Sequence, residues 1–362
     1  MKIIQLLPEL NEGGVERGVV DLNRELILRG YESIVISAGG KLASQINLDG
    51  GTHIALDICS KNIFTFWSRK NKLQKIIKYL KPDILHARSR VPAWLVHYAN
   101  KTLKIPFVTT VHGFNSVSFY SEVMTYGDEV ICVSGAIKDY IQKNYNTNEN
   151  KIIVIPRGID LVKFNPNNLD LNFIDNFSQE YNLINKYIVT SVGRITQLKD
   201  IETFIKAIGK AKQNIPNIIG LIVGGVRDDK QEYFNSLKAL VKSLNLEENI
   251  IFTGSQSKVA EIYNISNVVI SSSKKPETFG RSAAEALSMN TPVIATNHGG
   301  ILDIVKQNKT GWLFEIEDSN ELSNCIIESK DHKLVNLRKF VEERFTLDNM
   351  VDKTIEVYNK CK

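Results

Sequence analysis

The chain reads Val268-Val269-Ile270-Ser271-Ser272-Ser273, then Pro276-Glu277-Thr278-Phe279-Gly280-Arg281-Ser282-Ala283-Ala284-Glu285, and then Pro292-Val293-Ile294-Ala295-Thr296. The first run is short, apolar and β-branched, which predicts a buried strand. Ala283 to Met289 follows as a small-residue helix, and Pro292–Thr296 as a second strand. Glu277 therefore sits on a strand-to-helix loop, and Glu285 on the helix after it. Such a loop ends in unpaired helix N–H groups, which favour hydroxyls and anions. Two carboxylates there suit the hydroxyls of a polyol. A glutamate near a helix start also complements the macrodipole and needs no ligand. The pair Gly299-Gly300 after the next strand favours the binding reading.

The same pattern runs outward along the chain. Strands are expected at Lys2–Leu7, Ser33–Ala38, His53–Ile58, Asp83–Ala87, Phe107–Val111, Val130–Ser134 and Lys151–Ile155. A second series is expected at Ile188–Val192, Ile218–Val223, Ile250–Thr253, Val268–Ser272, Val293–Thr296 and Trp312–Phe314. Apolar strands separated by helices indicate parallel sheets covered on both faces. A polar stretch from Asp160 to Asn185 reads as a linker between the two series. At 362 residues the chain exceeds the size of most single cores. The expectation is an α/β protein of two doubly wound, Rossmann-like domains, residues 1–172 and 186–345. Ligands of such sheets bind beyond the carboxyl ends of the strands, which in two domains can face one another across a central cleft.

Composition excludes several classes. The chain is 43% hydrophobic and 23% charged, ordinary for a globular protein. Its four cysteines, Cys59, Cys132, Cys325 and Cys361, are scattered and offer no zinc spacing. The N-terminus has no signal-peptide pattern and no apolar run is long enough to cross a bilayer, so a soluble, cytoplasmic protein is expected. The net charge of +5 lies wholly in the first half, where residues 1–172 hold 21 Lys/Arg against 16 Asp/Glu. No nucleic-acid recognition module accompanies it. Lys61 through Lys81 holds seven basic residues and no acid. Within it Leu73, Ile76, Ile77 and Leu80 recur at helical spacing. That face suits packing on the sheet, with the lysines solvated. The other reading is attachment to an anionic membrane surface, aided by Phe64, Phe66 and Trp67.

Four further loops carry candidate chemistry. Gly13-Gly14 precedes a helix, where backbone amides can approach a phosphate or sugar, although a plain turn has the same composition. His86-Ala87-Arg88-Ser89-Arg90 places two arginines at a strand end, where they suit a carboxylate or phosphate or simply lie solvated. His112, before Gly113, can hydrogen-bond a substrate hydroxyl or pack within its loop. Gly193-Arg194 and Lys199 can reach one anion from a single loop, such as a departing diphosphate. No D-x-D pair or His/Cys cluster is present to hold a metal, so the expected metal set is none.

Together, Gly13-Gly14, His112, Gly193-Arg194 with Lys199, the Glu277-to-Glu285 motif and Gly299-Gly300 resemble the retaining glycosyltransferases of family 4, which have the GT-B fold. The first half, in Gly13–Gly18 and His86–Trp94, is similar to Gram-negative lipopolysaccharide-core sugar transferases. The resemblance implies that Arg194 and Lys199 bind the donor diphosphate, Glu285 the ribose, and Glu277 with the amides near Phe279 and Gly280 the donor sugar. It implies that His112 contacts that sugar, that Gly13 and Gly14 meet the phosphate or the acceptor, and that the nucleobase lies against the loop at Gly254. Residues 1–172 would bind the acceptor and 186–345 the nucleotide sugar, with helix 348–362 returning to the first domain. Arg88 and Arg90 suggest an anionic glycan or glycolipid acceptor, and a location peripheral to the inner membrane. The donor leaning is mannose from GDP-mannose, with UDP-hexoses as the alternative. No cofactor is expected beyond the donor. Arg157 and Asp303 depart from the family pattern. A sugar-nucleotide epimerase or a non-catalytic nucleotide-sugar binder would share the architecture.

Overall fold

All strand pairs in the chain's two sheets are parallel. The computed structural model describes residues 1–11 and 13–362, so Glu12 of the Gly13-Gly14 turn lies outside the described residues. The first sheet contains β1 (Lys2–Leu6), β2 (Glu32–Ser37), β3 (Thr52–Ala55), β4 (Ile84–Ala87), β5 (Phe107–Val111), β6 (Glu129–Cys132) and β7 (Ile152–Val154). The second contains β8 (Tyr187–Val192), β9 (Ile218–Val223), β10 (Ile250–Gly254), β11 (Val268–Ser271), β12 (Val293–Thr296) and β13 (Gly311–Phe314). Their orders are β3-β2-β1-β4-β5-β6-β7 and β10-β9-β8-β11-β12-β13. Each order reverses beside its first strand, between β1 and β4 and between β8 and β11. A crevice opens at such a switch point, beyond the strands' carboxyl ends.

The chain forms two compact units, Met1–Gly158 with Leu347–Lys362, and Ile159–Thr346. This corrects the expected boundaries at 172 and 186. The Asp160–Asn185 stretch is no linker. Asp170 caps a helix, Leu171–Glu180, by accepting from the Phe173 amide at 3.0 Å. Phe173, Phe177 and Tyr181, four residues apart, line one face of it, and Phe177 is buried with Ile188 and Ile219. Polar composition concealed a short amphipathic helix that covers the second sheet.

Helices cover the sheets through apolar stripes at 3.6-residue spacing. Ile201–Ala211 buries Ile201, Phe204, Ile205 and Ile208. Helix Phe66–Leu80 buries Leu73 and Ile77 in the first core and leaves Lys72, Lys75 and Lys78 exposed. Its apolar stripe is therefore core. Phe66 is packed as well, whereas Phe64 and Trp67 are exposed. No helix among the described residues is long and apolar enough to cross a membrane.

The last helix, Leu347–Lys360, belongs to the first unit, where Val351, Val357 and Tyr358 are buried with Ile3, Leu22 and Ile84. Arg29 reaches Asp348 at 2.7 Å and Lys360 reaches Glu129 at 2.7 Å. Each pair has one exposed partner, so they orient the helix more than they stabilise it. The buried anchor is Tyr358, whose hydroxyl shares a 2.7 Å hydrogen bond with His86 Nδ1. The other ring nitrogen shares one of 2.7 Å with Thr110 Oγ1. Tyr358→Phe keeps the ring but leaves a fully buried imidazole nitrogen unpaired. It is expected to cost about 1–3 kcal/mol in chemical denaturation; an unchanged midpoint would show that the hydroxyl bond contributes nothing.

Candidate active site

At the switch point of the second sheet, backbone hydrogen bonds join the strand ends. Gly193 N donates to Val223 O at 2.9 Å, Ile195 N to Gly225 O at 3.1 Å, and Gly224 N to Gly254 O at 2.9 Å. The loops after β8, β9 and β10 therefore form one rim. The loop after β8 is tied to β11 by Ser272 Oγ, which donates to Lys199 O at 2.8 Å. Lys274 N adds a bond to Leu198 O at 2.9 Å. These contacts bring Lys199 beside Glu277, Nζ to Oε1 at 2.6 Å. Ser273 Oγ donates to the same oxygen at 2.7 Å. Behind it, His298 Nε2 lies 2.8 Å from Ser273 O, and Gly300 N donates to Glu277 O at 2.6 Å. Arg194 stands exposed on the same loop as Lys199.

The two carboxylates differ in electrostatic setting. Burial pushes Glu277 up, but the Lys199 ammonium, its hydrogen bond, Ser273 and His298 outweigh burial and hold it below the usual carboxylate range. It is an anion already paired with a cation. Burial raises Glu285, and Arg281, Lys163 and Tyr263 offset that only in part. Arg281 Nε donates to Glu285 Oε1 at 3.1 Å, and Tyr263 OH to Oε2 at 3.4 Å. Glu285 thus lies on the helix Arg281–Ser288, as its sequence position implied.

Between them the chain turns through Gly280, whose φ of +97° is left-handed. A Cβ there would also come within 2.9 Å of Ile301 Cγ1, so this position requires glycine twice over. Phe279 is 2% exposed and packs edge-on against Phe345, so its side chain is core. Only its backbone faces the loop, where the N–H groups of Phe279 and Gly280 donate to no backbone carbonyl among the described residues. Gly254 is exposed at the end of β10.

The switch point of the first sheet gathers cations. His112, after β5, accepts at Nε2 from Arg88 Nε at 3.2 Å, and its Nδ1 lies 3.4 Å from Arg157 Nη2. Arg157 Nη1 stands only 2.8 Å from where a side chain on Gly14 would begin, at the start of helix Gly14–Leu28. Two guanidinium groups and a positive helix end attract a phosphate or carboxylate. Burial lowers Arg88 to about 10. Arg88 and Arg90 have different partners. Arg88 is 7% exposed and turned to His112. Arg90 donates to Ser121 Oγ at 3.1 Å and lies over the Tyr120 ring. Alternating side-chain direction at a helix start separates them. Among the described residues no three His, Cys, Asp or Glu side chains cluster as a metal site would.

Comparisons with known proteins bear on the family and the fold. The description "Glycosyl transferases group 1" matches residues 173–343, and "Glycosyltransferase Family 4" matches 12–163. A glycosyltransferase from Rickettsia africae ESF-5, known by crystal structure, is 32% identical, with a TM-score of 0.92 over 99% of this chain and 98% of its own. The chain belongs to the GT-B glycosyltransferases. This glycosyltransferase is also 27% identical over 382 residues to the Escherichia coli UDP-Gal:alpha-D-GlcNAc-diphosphoundecaprenol alpha-1,3-galactosyltransferase, covering 98% of this chain and 95% of that one. Anabaena Alr3699/HepE, in complex with UDP and glucose, shares the fold at TM-score 0.85 and 19% identity, covering 99% of this chain and all of its own, 100%.

Several site residues of this glycosyltransferase escaped sequence reading. His298 acts through a contact between two strand ends, which spacing does not reveal, whereas Ser273 and Arg281 each stand four residues from the glutamate they bond, a spacing that could have flagged them. Gly224-Gly225 carried a signal, a glycine pair directly after a strand. Arg157 was noted only as a departure from the family pattern.

His112 and His86 make the first unit sensitive to pH. Burial holds both well below 6.5, with Arg88 adding to the shift of each and Arg157 to that of His112. Unfolded histidines take up protons near 6.5 while these folded ones do not. Their contribution to stability is full above 6.5 and is lost as pH falls from there toward the folded values. The urea midpoint should decline between pH 7 and 5, and less steeply in His112→Asn. Equal slopes would remove His112 from this account.

Proposed function

We propose that this glycosyltransferase moves a hexose from a nucleoside-diphosphate sugar to a lipopolysaccharide core or related cell-envelope glycan, with retention of anomeric configuration. The observation that carries the reading is the Lys199–Glu277 pair at the switch point of the second sheet, with Arg194 on the same loop. Arg194 and Lys199 stabilise the departing diphosphate, whose charge grows in the transition state. No metal is needed for that step in this reading. Glu277, held ionised by Lys199, accepts from hydroxyls of the transferred sugar, and the Phe279 and Gly280 amides face the same ligand. Glu285 receives the ribose hydroxyls, and Gly254 borders the base. His112 keeps the role that the resemblance implies for it, contact with the transferred sugar.

Two of the similar proteins point to uridine: the name of the galactosyltransferase gives UDP-Gal, and HepE holds UDP and glucose. This favours a UDP-hexose over the mannose from GDP-mannose suggested by the first-half motifs. Thermal-shift screening with UDP- and GDP-sugars decides between them. The bound donor stabilises the protein by mass action, and the absence of any shift would undo the proposal.

Lys199→Ala is expected to lower turnover by on the order of 10²-fold, since it removes charge stabilisation of the leaving group. Near-normal turnover in a coupled assay for released nucleoside diphosphate would refute that role. An epimerase would consume the donor with no acceptor present, and a mere binder would release no nucleoside diphosphate.

The acceptor's setting is an anionic membrane surface. The support is Lys72, Lys75 and Lys78, exposed on one helix, beside the exposed Phe64 and Trp67. Co-sedimentation with vesicles containing anionic lipid should fall with salt and with Lys→Gln changes at these three positions. Binding indifferent to both would count against it.

A further inference from the structure

A second cavity in the first unit is distinct from the cation cluster at His112. Its volume is about 760 Å³, and its walls include Phe66, Trp94, Phe119, Tyr120, Arg69 and Arg90. No acidic residue among those described lines it. The aromatic wall is fixed rather than loose. Trp94 Nε1 donates to Tyr120 O at 3.0 Å, and the Trp94 ring lies 5.2 Å from that of Phe119. Phe119 is nevertheless 71% exposed, and Ile63 at the rim is 74% exposed. Such apolar surface beside a cavity is retained for a ligand or partner more often than for stability.

The two arginines give the cavity a polar end. Arg69 is 5% exposed, and it donates from Nε to Thr65 Oγ1 at 3.1 Å and from Nη2 to Asn62 O at 2.8 Å. Its Nη1 is buried without a hydrogen-bond partner among the described residues. No ion pair joins either guanidinium to a carboxylate among those residues. Asp57, the acid whose charge Arg69 influences, is exposed and occupied with the Cys59 and Ser60 amides. A buried guanidinium with an unused donor and no carboxylate bonded to it among the described residues calls for an anion.

We propose that this cavity seats the lipid end of an amphipathic acceptor, an apolar chain against Trp94 and Phe119 with its phosphate on Arg69 and Arg90. The inference rests on the transferase reading above and names the class of its acceptor: a glycan built on a lipid phosphate. Apolar walls alone would take a neutral chain, and arginines alone a free phosphate. The cavity combines them.

The test uses the full chain and calorimetric titration with geranyl diphosphate, inorganic diphosphate and geraniol. Saturable binding of geranyl diphosphate is expected, at least tenfold tighter than geraniol and, in Lys199→Ala, than inorganic diphosphate. Arg90→Gln and Phe119→Ser, both at the cavity surface, should each weaken it tenfold or more, while Lys199→Ala leaves it unchanged. Comparable binding of geraniol, or of inorganic diphosphate to Lys199→Ala, which lacks a cation of the donor-diphosphate site, overturns the proposal. So does indifference to the two cavity substitutions, and so does loss in Lys199→Ala, which would move the ligand to the second unit. Thermal shifts with nucleotide sugars should persist in Arg90→Gln and Phe119→Ser. Their absence in the unsubstituted protein would defeat the transferase reading without touching the lipid result.

Discussion

Parallel strand pairing is the constraint on which the rest of this protein depends. A parallel neighbour cannot be reached by a tight turn, so each connection must recross the sheet, and here helices make that return. Every strand then ends on the same edge of its sheet. Six loops of the second unit and seven of the first are thereby gathered at one rim each, with helix starts among them. Function collects there because loop residues far apart in the chain become neighbours, while the sheet beneath holds them still.

At the rim of the second unit this gathering has an electrostatic result. Lys199 and Glu277 are 78 residues apart in sequence and 2.6 Å apart in space. Each depends on the other: the ammonium keeps a mostly buried carboxylate ionised, and the carboxylate holds the ammonium beside the strand end. The pair is only partly screened from water, so incoming diphosphate and sugar hydroxyls can compete for both partners. Its worth lies in poise rather than in stability. At the rim of the first unit the balance is different, since Arg88, Arg157 and a helix start lie around His112, with no carboxylate bonded to that ring among the described residues. One rim carries a bonded cation–carboxylate pair, and the other gathers two guanidinium groups around a histidine.

Much of the fold was readable because short β-branched runs separated by amphipathic stretches leave few alternatives. The thirteen strands among the described residues occupy the positions their sequence suggested, with ends shifted by a few residues. The loop position of Glu277 and the helix position of Glu285 were readable for the same reason. What misled was polarity. Asp160–Asn185 looked like a linker because its asparagines, acids and Pro166 are interspersed among its apolar residues, so the four-residue spacing of Phe173, Phe177 and Tyr181 does not stand out. Phe279, quoted beside a glycine in a binding motif, is core. Arg88 and Arg90 looked like one anion clamp because only Ser89 intervenes, yet one is buried on His112 and the other faces an aromatic cavity.

The sequence by itself determined the parallel α/β architecture, the order of its elements and the strand ends on which its chemistry stands. These follow from local periodicity and turn composition, which act over a few residues. Only the tertiary structure decided which cation meets which carboxylate, which arginine is buried, and where an aromatic cavity opens beside a guanidinium with an unused donor. Those outcomes depend on contacts across strands and helices distant in the chain, and on the loss of water around them. Neither distance nor desolvation is written in spacing.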